Sequence, residues 1–253
     1  MRIIVTLAIL TAVSNFSFSQ KFTAEFGFGQ NQYTMESVNR YYMDSFAFQP
    51  QYNLLHEHIR TGKQVHVNMA YRPSGLFDVG LYASFQQGGT KGFPVHREID
   101  LWDNSITYHR GCLELKTQAL SFGLLNTWYI SHLLKFQEKE TTLNRVHLGV
   151  ELMGGLGLAN ASIDASYPTI ETHEPERFMF TAKSFQGQFG LKIEYDFIKN
   201  PIITSLGIRG GYQYFRTANV KNHSDEEWIV LGNYPINLDF SGVYFGVYLK
   251  LGR

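Results

Sequence analysis

Eight charged side chains occupy the polar positions of a strict two-residue alternation with bulky apolar residues: Glu25, Asp78, Glu151, Lys192, Glu194, Asp196, Arg209 and Lys250. Acids and bases collected on one side of a set of strands have two chemistries open to them. In an enclosed space of low dielectric an unpaired charge costs several kcal/mol, so the groups pair and lock the space shut. Where water reaches them, the same groups relay protons or solutes along a path. We expect Lys192 and Arg209 to pair with some of Glu25, Glu151 and Glu194.

Other candidates are weaker. His56-Glu57-His58 puts two imidazoles two residues apart, but no third metal ligand accompanies them, so a solvated loop is the plainer reading. His96, His109, His173 and His223 show no spacing that suggests a site. Serines, histidines and acids are available for hydrolytic chemistry, yet there is no Gly-x-Ser-x-Gly elbow, and we expect no enzymatic activity. Gly27 to Gly29 and Gly154 to Gly157 lie inside alternating stretches with no helix following, so they read as close strand crossings, not phosphate loops. No cofactor and no metal are expected.

The elements that must position these groups are strands. From Phe185 to Phe197, Phe185, Phe189, Leu191, Ile193, Tyr195 and Phe197 alternate with Gln186, Gln188, Gly190, Lys192, Glu194 and Asp196. A soluble sheet seldom keeps such alternation past five or six residues, whereas a tilted strand crossing lipid needs about ten. The pattern recurs from Phe22 to Gly29, Gln64 to Tyr71, Phe77 to Phe85, about Leu113 to Ile130, Val146 to Leu158, Ile202 to Tyr214 and Gly242 to Leu251, which makes eight strands. In the fourth, the apolar phase shifts from Leu113 and Leu115 to Leu120, Phe122 and Leu124, and a β-bulge near Gln118 would reconcile the halves. Arg72-Pro73-Ser74-Gly75 and Lys199-Asn200-Pro201 read as tight turns.

Connections alternate between short and long, which fits an eight-stranded antiparallel up-and-down transmembrane β-barrel with short periplasmic turns and long outer loops. A soluble lipocalin-like barrel is the alternative; its greasy face would point inward. Tyr71, Trp128, Tyr195, Phe197, Tyr212 and Tyr214 fall where interfacial aromatic girdles would lie. The first long loop packs Tyr41, Tyr42, Phe46, Phe48 and Tyr52 close together, a density that needs burial over the barrel mouth or against a partner, and Trp102 and Trp228 extend that possibility.

Residues 1–19 read as a cleaved signal peptide: Arg2, an apolar run from Ile3 to Val13, then Ser17-Phe18-Ser19 as a small-x-small site. Residues 20–253 then form one barrel domain. Equal numbers of basic and acidic residues, 22 each, offer no broad field for nucleic acid. Cys112 is the sole cysteine, so no intrachain disulfide forms, and it reads as a small half-buried apolar residue.

With leader, strand rhythm and closing segment Phe240 to Arg253 in place, the chain resembles the small eight-stranded outer-membrane barrels of OmpA, OmpX and OmpW type. It is similar above all to the PorT-like proteins of bacteria related to Bacteroidetes. The last strand resembles the signal read by the barrel-assembly machinery, although Gly252-Arg253 stand where a terminal aromatic is usual. The resemblance implies an outer-membrane location in a Gram-negative bacterium, contact with outer-membrane lipid and with the assembly machinery during insertion, and contact with other envelope proteins. It implies a non-enzymatic subunit or accessory of an envelope complex, or a surface-interaction protein acting through its outer loops. An OmpW-like narrow conduit for small apolar molecules is the alternative.

Overall fold

Alternating strands that each bury a polar face have to enclose it, and here they do so by closing on themselves. The computed structural model describes residues 22–44, 58–93, 95–99, 102, 105–135, 142–166, 176–197, 203–230 and 233–252. The expected leader and the Lys199–Pro201 turn lie outside them.

Eight long strands run β1 (Phe22–Gln32), β2 (Thr61–Ser74), β3 (Phe77–Gly92), β4 (Cys112–Tyr129), β5 (Val146–Ser166), β6 (Glu176–Asp196), β7 (Ile203–Asn219) and β8 (Gly242–Leu251). Each pairs antiparallel with the next, and β8 returns to β1 from Ala24↔Leu251 to Asn31↔Tyr244. The sheet is therefore a closed ring without a free edge. The first hairpin turns at Gly75 and Leu76, one or two residues later than composition suggests, because β2 runs to Ser74.

One face of every strand carries a belt of apolar side chains open to the surroundings: Leu81 is 60% exposed, Leu124 69%, Leu156 58% and Phe245 59%. A wall of this kind in water would be a very large apolar patch; against hydrocarbon it is solvated. On β4 the belt runs from Leu120 to Trp128, about nine residues of tilted strand, close to the height of roughly 25 Å that a bilayer core asks of such a barrel. The greasy face points outward, which rules out the lipocalin arrangement. At the turn end the belt is edged by Phe22 against Tyr71, Phe77 against Trp128 and Tyr195 against Phe197, ring centroids 5.0, 6.4 and 6.0 Å apart. No helix among the described residues is long and apolar enough to cross a membrane.

Above the belt the polarity of the wall inverts. On β4, Leu115 and Ala119 point inward and are buried, as do Ala159, Ala161 and Ile163 on β5, while Lys116, Gln118 and Asn160 occupy the outward positions. The pairing of β4 with β3 and β5 runs without a register break through Gln118. The expected bulge is therefore absent: Leu113 and Leu115 change from the apolar to the polar phase because the strand leaves lipid, not because its backbone slips. For the same reason β3, β5 and β6 run well past the lengths their apolar alternation suggests, and a short hairpin, Val95–Ile99 with Ile106–Arg110, extends the loop between β3 and β4.

Candidate functional site: the filled lumen

The inward positions stack into three layers. The first, nearest the short turns, is ionic. Lys192 Nζ lies 2.7 Å from Glu25, 2.7 Å from Glu194 and 3.6 Å from Glu151. Lys250 Nζ reaches Glu194 at 3.2 Å, Asp78 at 3.5 Å and Glu25 at 3.6 Å, and Arg209 approaches Glu151 at 3.7 Å. All seven of these residues are at most 3% exposed. Asp196 stands apart at the rim, where it accepts a hydrogen bond from Ser205 at 2.8 Å and meets His147 at 2.9 Å.

Two groups absent from the sequence-based set complete this layer. Arg72 donates to both oxygens of Asp78, at 2.6 and 3.0 Å, with its guanidinium 4.4 Å from the centre of the Tyr129 ring. The Tyr129 hydroxyl donates to Asp78 at 2.7 Å and accepts from Lys250 at 2.9 Å. With Arg72, four cations face four carboxylates, and neutrality is what lets such a cluster persist away from water. Both residues sit on the inward parity of their strands, Arg72 with Gln64, His66 and Asn68, and Tyr129 with Thr127 and Leu125. Parity could have found them; a turn motif hid Arg72 and an aromatic side chain hid Tyr129.

Glycines on the wall make room for this filling. A Cβ at Gly207 would run into the Tyr248 ring, and one at Gly190 into the Tyr244 hydroxyl, so the two tyrosines lie across the lumen over bare backbone. Tyr248 donates to Glu194 at 3.1 Å.

The middle layer is amide-rich. Asn31 donates to Gln86 at 2.6 Å, Gln188 to Gln213 at 2.8 Å, and the Tyr82 hydroxyl to Gln186 at 2.8 Å. Gln213 also donates to the Phe240 carbonyl at 3.2 Å, tying this layer to the next.

The outermost layer is an apolar plug made by loops folding back into the mouth. Phe215 stacks on Phe240 with centroids 5.5 Å apart, Tyr42 meets Trp228 edge-on at 4.8 Å, and Trp228 stacks on Phe180 at 4.8 Å. Met35, Val38, Ile59, Ile236 and Leu238 fill the space between. The short helical segment Ser37–Met43 is pinned by Asn39, whose amide donates to the carbonyls of Thr34 at 2.8 Å and Ile59 at 3.0 Å and accepts from the Ile59 N–H at 2.9 Å. Burial pushes the Tyr33 phenol well above its usual pKa, so it stays neutral in the plug.

Of the aromatic loop, Tyr42 enters the plug and Tyr41 lies at its edge, stacked on Tyr234 at 4.7 Å; Phe46, Phe48 and Tyr52 lie outside the described residues. His58 pairs with Asp44 at 2.8 Å, while His56, Glu57 and His173 also lie outside. Among the described residues no group of three or more His, Cys, Asp or Glu is placed to hold a metal ion. Cys112 is half-buried and free. Trp102, near the tip of the Val95–Arg110 hairpin, is 97% exposed.

The chain matches no protein-family model and no curated protein. Among solved structures it is similar to Ail, the attachment invasion locus protein of Yersinia pestis, with 11% identity over 91% of this chain and 99% of that one and a TM-score of 0.39. It is also similar to a major outer membrane protein from Thermus thermophilus (12% identity, 91% and 98% covered, TM-score 0.41) and to the outer membrane protease OmpT of Escherichia coli (9%, 91% and 94%, 0.34). These likenesses are to outer-membrane proteins; the fold itself stands on the closed register and the outward apolar belt.

Proposed function

We propose that this chain is a non-enzymatic outer-membrane barrel that works through its outer loops, as a subunit or accessory of an envelope complex or as a surface-interaction protein. The observation that carries the reading is the filled lumen. An ionic layer, an amide layer and an apolar plug lie in series, so the barrel's useful surface is its outside. The hairpin bearing Trp102 stands beyond the wall, with Ile106 44% and Tyr108 65% exposed, a concentration of apolar surface suited to a protein partner. The finer resemblance to PorT-like proteins belongs with this reading.

Absence of enzymatic activity is part of the proposal. At the rim, Asp196 lies between Ser205 and His147, so the serine hydroxyl faces a carboxylate and not the imidazole that a Ser-His nucleophile pair requires. A conduit for small apolar molecules would have to displace all three layers.

The test is extraction from native membranes in mild detergent through a tag in the loop near Asn222, followed by the mass and composition of the particle. A stoichiometric companion that is lost when Trp102 and Tyr108 are replaced by Ala supports the proposal. A lone particle that takes up apolar solutes in vesicles overturns it in favour of the conduit.

A further inference from the structure

On the outer wall of β1 to β4, at the loop end, the belt stops in a row and a polar surface begins. Phe28, Val65, Phe85 and Leu120 are direct cross-strand neighbours and form its last apolar row. One step up stand Gln30, Lys63, Gln87 and Gln118, again in register, and above them Gly89 beside Lys116 and Lys91 beside Glu114. Gly89 points outward and has no side chain, so the wall is bare between Lys63, Lys91 and Lys116; a Cβ there would lie 2.7 Å from the Leu115 carbonyl oxygen. The result is an open groove of about 1310 Å³ whose lower lining is Phe28, Val65 and Phe85.

The charge of this groove is unbalanced. Arg60, Lys63, Lys91 and Lys116 line it against a single lining carboxylate, Glu114, which Lys91 and Lys116 share at 3.2 and 3.1 Å. Asp164, beside the groove, lies 3.9 Å from Lys116 and is itself paired with Arg177 at 3.3 Å, so the excess of cations stands. On a wall that meets lipid a few ångströms below, an excess of cations at this height faces the plane in which lipid headgroups lie. The two lining glutamines, Gln30 and Gln87, offer donors and acceptors to sugar hydroxyls and amides. Cations alone would suit any anion; cations continuous with a lipid-facing apolar row suit an anion that carries acyl chains.

We infer that this groove seats the phosphorylated sugar headgroup of an outer-leaflet glycolipid, with Arg60, Lys63 and Lys116 around its phosphate and its acyl chains running down over Phe28, Val65 and Phe85. The inference rests on the reading of the chain as a membrane-spanning barrel with its long loops outside. Lys183 and Arg216, outward-facing cations on β6 and β7 across the ring, do not line this groove and serve as the control pair.

The experiment titrates purified full-length barrel in detergent micelles with diphosphorylated lipid A, with its dephosphorylated form and with inorganic phosphate, and counts bound lipid by native mass spectrometry. Diphosphorylated lipid A is expected to bind, with about tenfold or greater loss for Lys63→Glu/Lys116→Glu, a smaller loss for Lys63→Gln/Lys116→Gln, and little change for Lys183→Glu/Arg216→Glu. Equal binding by the charge-reversed variant, equal loss in the control pair, or equal binding of dephosphorylated lipid overturns the inference. Displacement by millimolar inorganic phosphate alone also overturns it, since the site would then read free anion and not lipid. Electrophoresis with and without heating shows separately whether each variant is a folded barrel, and insertion of the wild type into vesicles tests the membrane reading on its own.

Discussion

Lys192 on β6 and Glu25 on β1 are not wall neighbours, yet the Lys192 ammonium lies 2.7 Å from the Glu25 carboxylate, across 167 residues of sequence. The contact is a strut through the lumen, and it makes the ionic layer one cooperative unit. Replacing Lys192 by Met leaves Glu25, Glu151 and Glu194 buried with one fewer cation, and the expected cost is about 3–5 kcal/mol. The double change Lys192→Met/Glu25→Gln is expected to cost less than the sum of the two single changes by about 1 kcal/mol or more. Urea unfolding in vesicles, followed by tryptophan fluorescence, measures both. Additive single effects would mean that the two groups are independent.

The outward belt carries its own prediction. Leu124, near the middle of the belt, should tolerate Arg badly, losing about 2–4 kcal/mol in a bilayer, whereas Gln118→Arg on the same strand, above the belt, should change stability by less than about 1 kcal/mol. Equilibrium unfolding in vesicles compares the two. If Arg is as well tolerated at 124 as at 118, the belt does not face hydrocarbon.

Strand count, closure and the parity of the charged residues were legible in the sequence because, within the lipid belt, one rule sets every position: apolar outward, polar inward. The stretch from Phe185 to Asp196 obeys that rule throughout. Leu113, Leu115 and the run from Ala159 to Ile163 do not, since above the belt water lies outside and the plug inside, and the same alternation carries the opposite meaning. A sequence pattern records burial, not direction, so the inversion looked like a bulge at Gln118 and like loop beyond Leu158. The plug was half legible: the density of Tyr41 and Tyr42 called for burial, but Phe215, Ile236, Leu238 and Phe240 meet there only through the fold.

The apolar plug and the ionic layer are the two seals, and the amide layer between them can exchange its hydrogen bonds for water once both are opened, which predicts a particular electrical behaviour. In planar bilayers the wild type is expected to show no resolved single-channel steps. Opening the plug alone with Phe215→Ala/Phe240→Ala leaves the ionic layer beneath it, and removing the strut alone with Glu25→Ala/Lys192→Ala leaves the plug above, so both variants are expected to stay silent. Only the fourfold variant should conduct. Steps in the wild type would show that water already threads the layers and would favour a conduit.

The plug fits the wall through a glycine. Gly157 on β5 points inward beneath Phe215 on β7, and a Cβ at 157 would overlap that ring, which is fully buried and held by Phe240. The ring has nowhere to turn, so Gly157→Ala is expected to destabilise by about 1–3 kcal/mol through overpacking. Phe215→Ala removes the ring and leaves a cavity, at a cost of about 3–5 kcal/mol. Combined, the new methyl occupies part of the space the ring vacates, so the double variant should be more stable than the sum of the two losses by about 1 kcal/mol. The temperature at which the folded, fast-migrating band disappears on electrophoresis follows all three. Strict additivity would show that the glycine is needed for strand geometry and not to admit the ring.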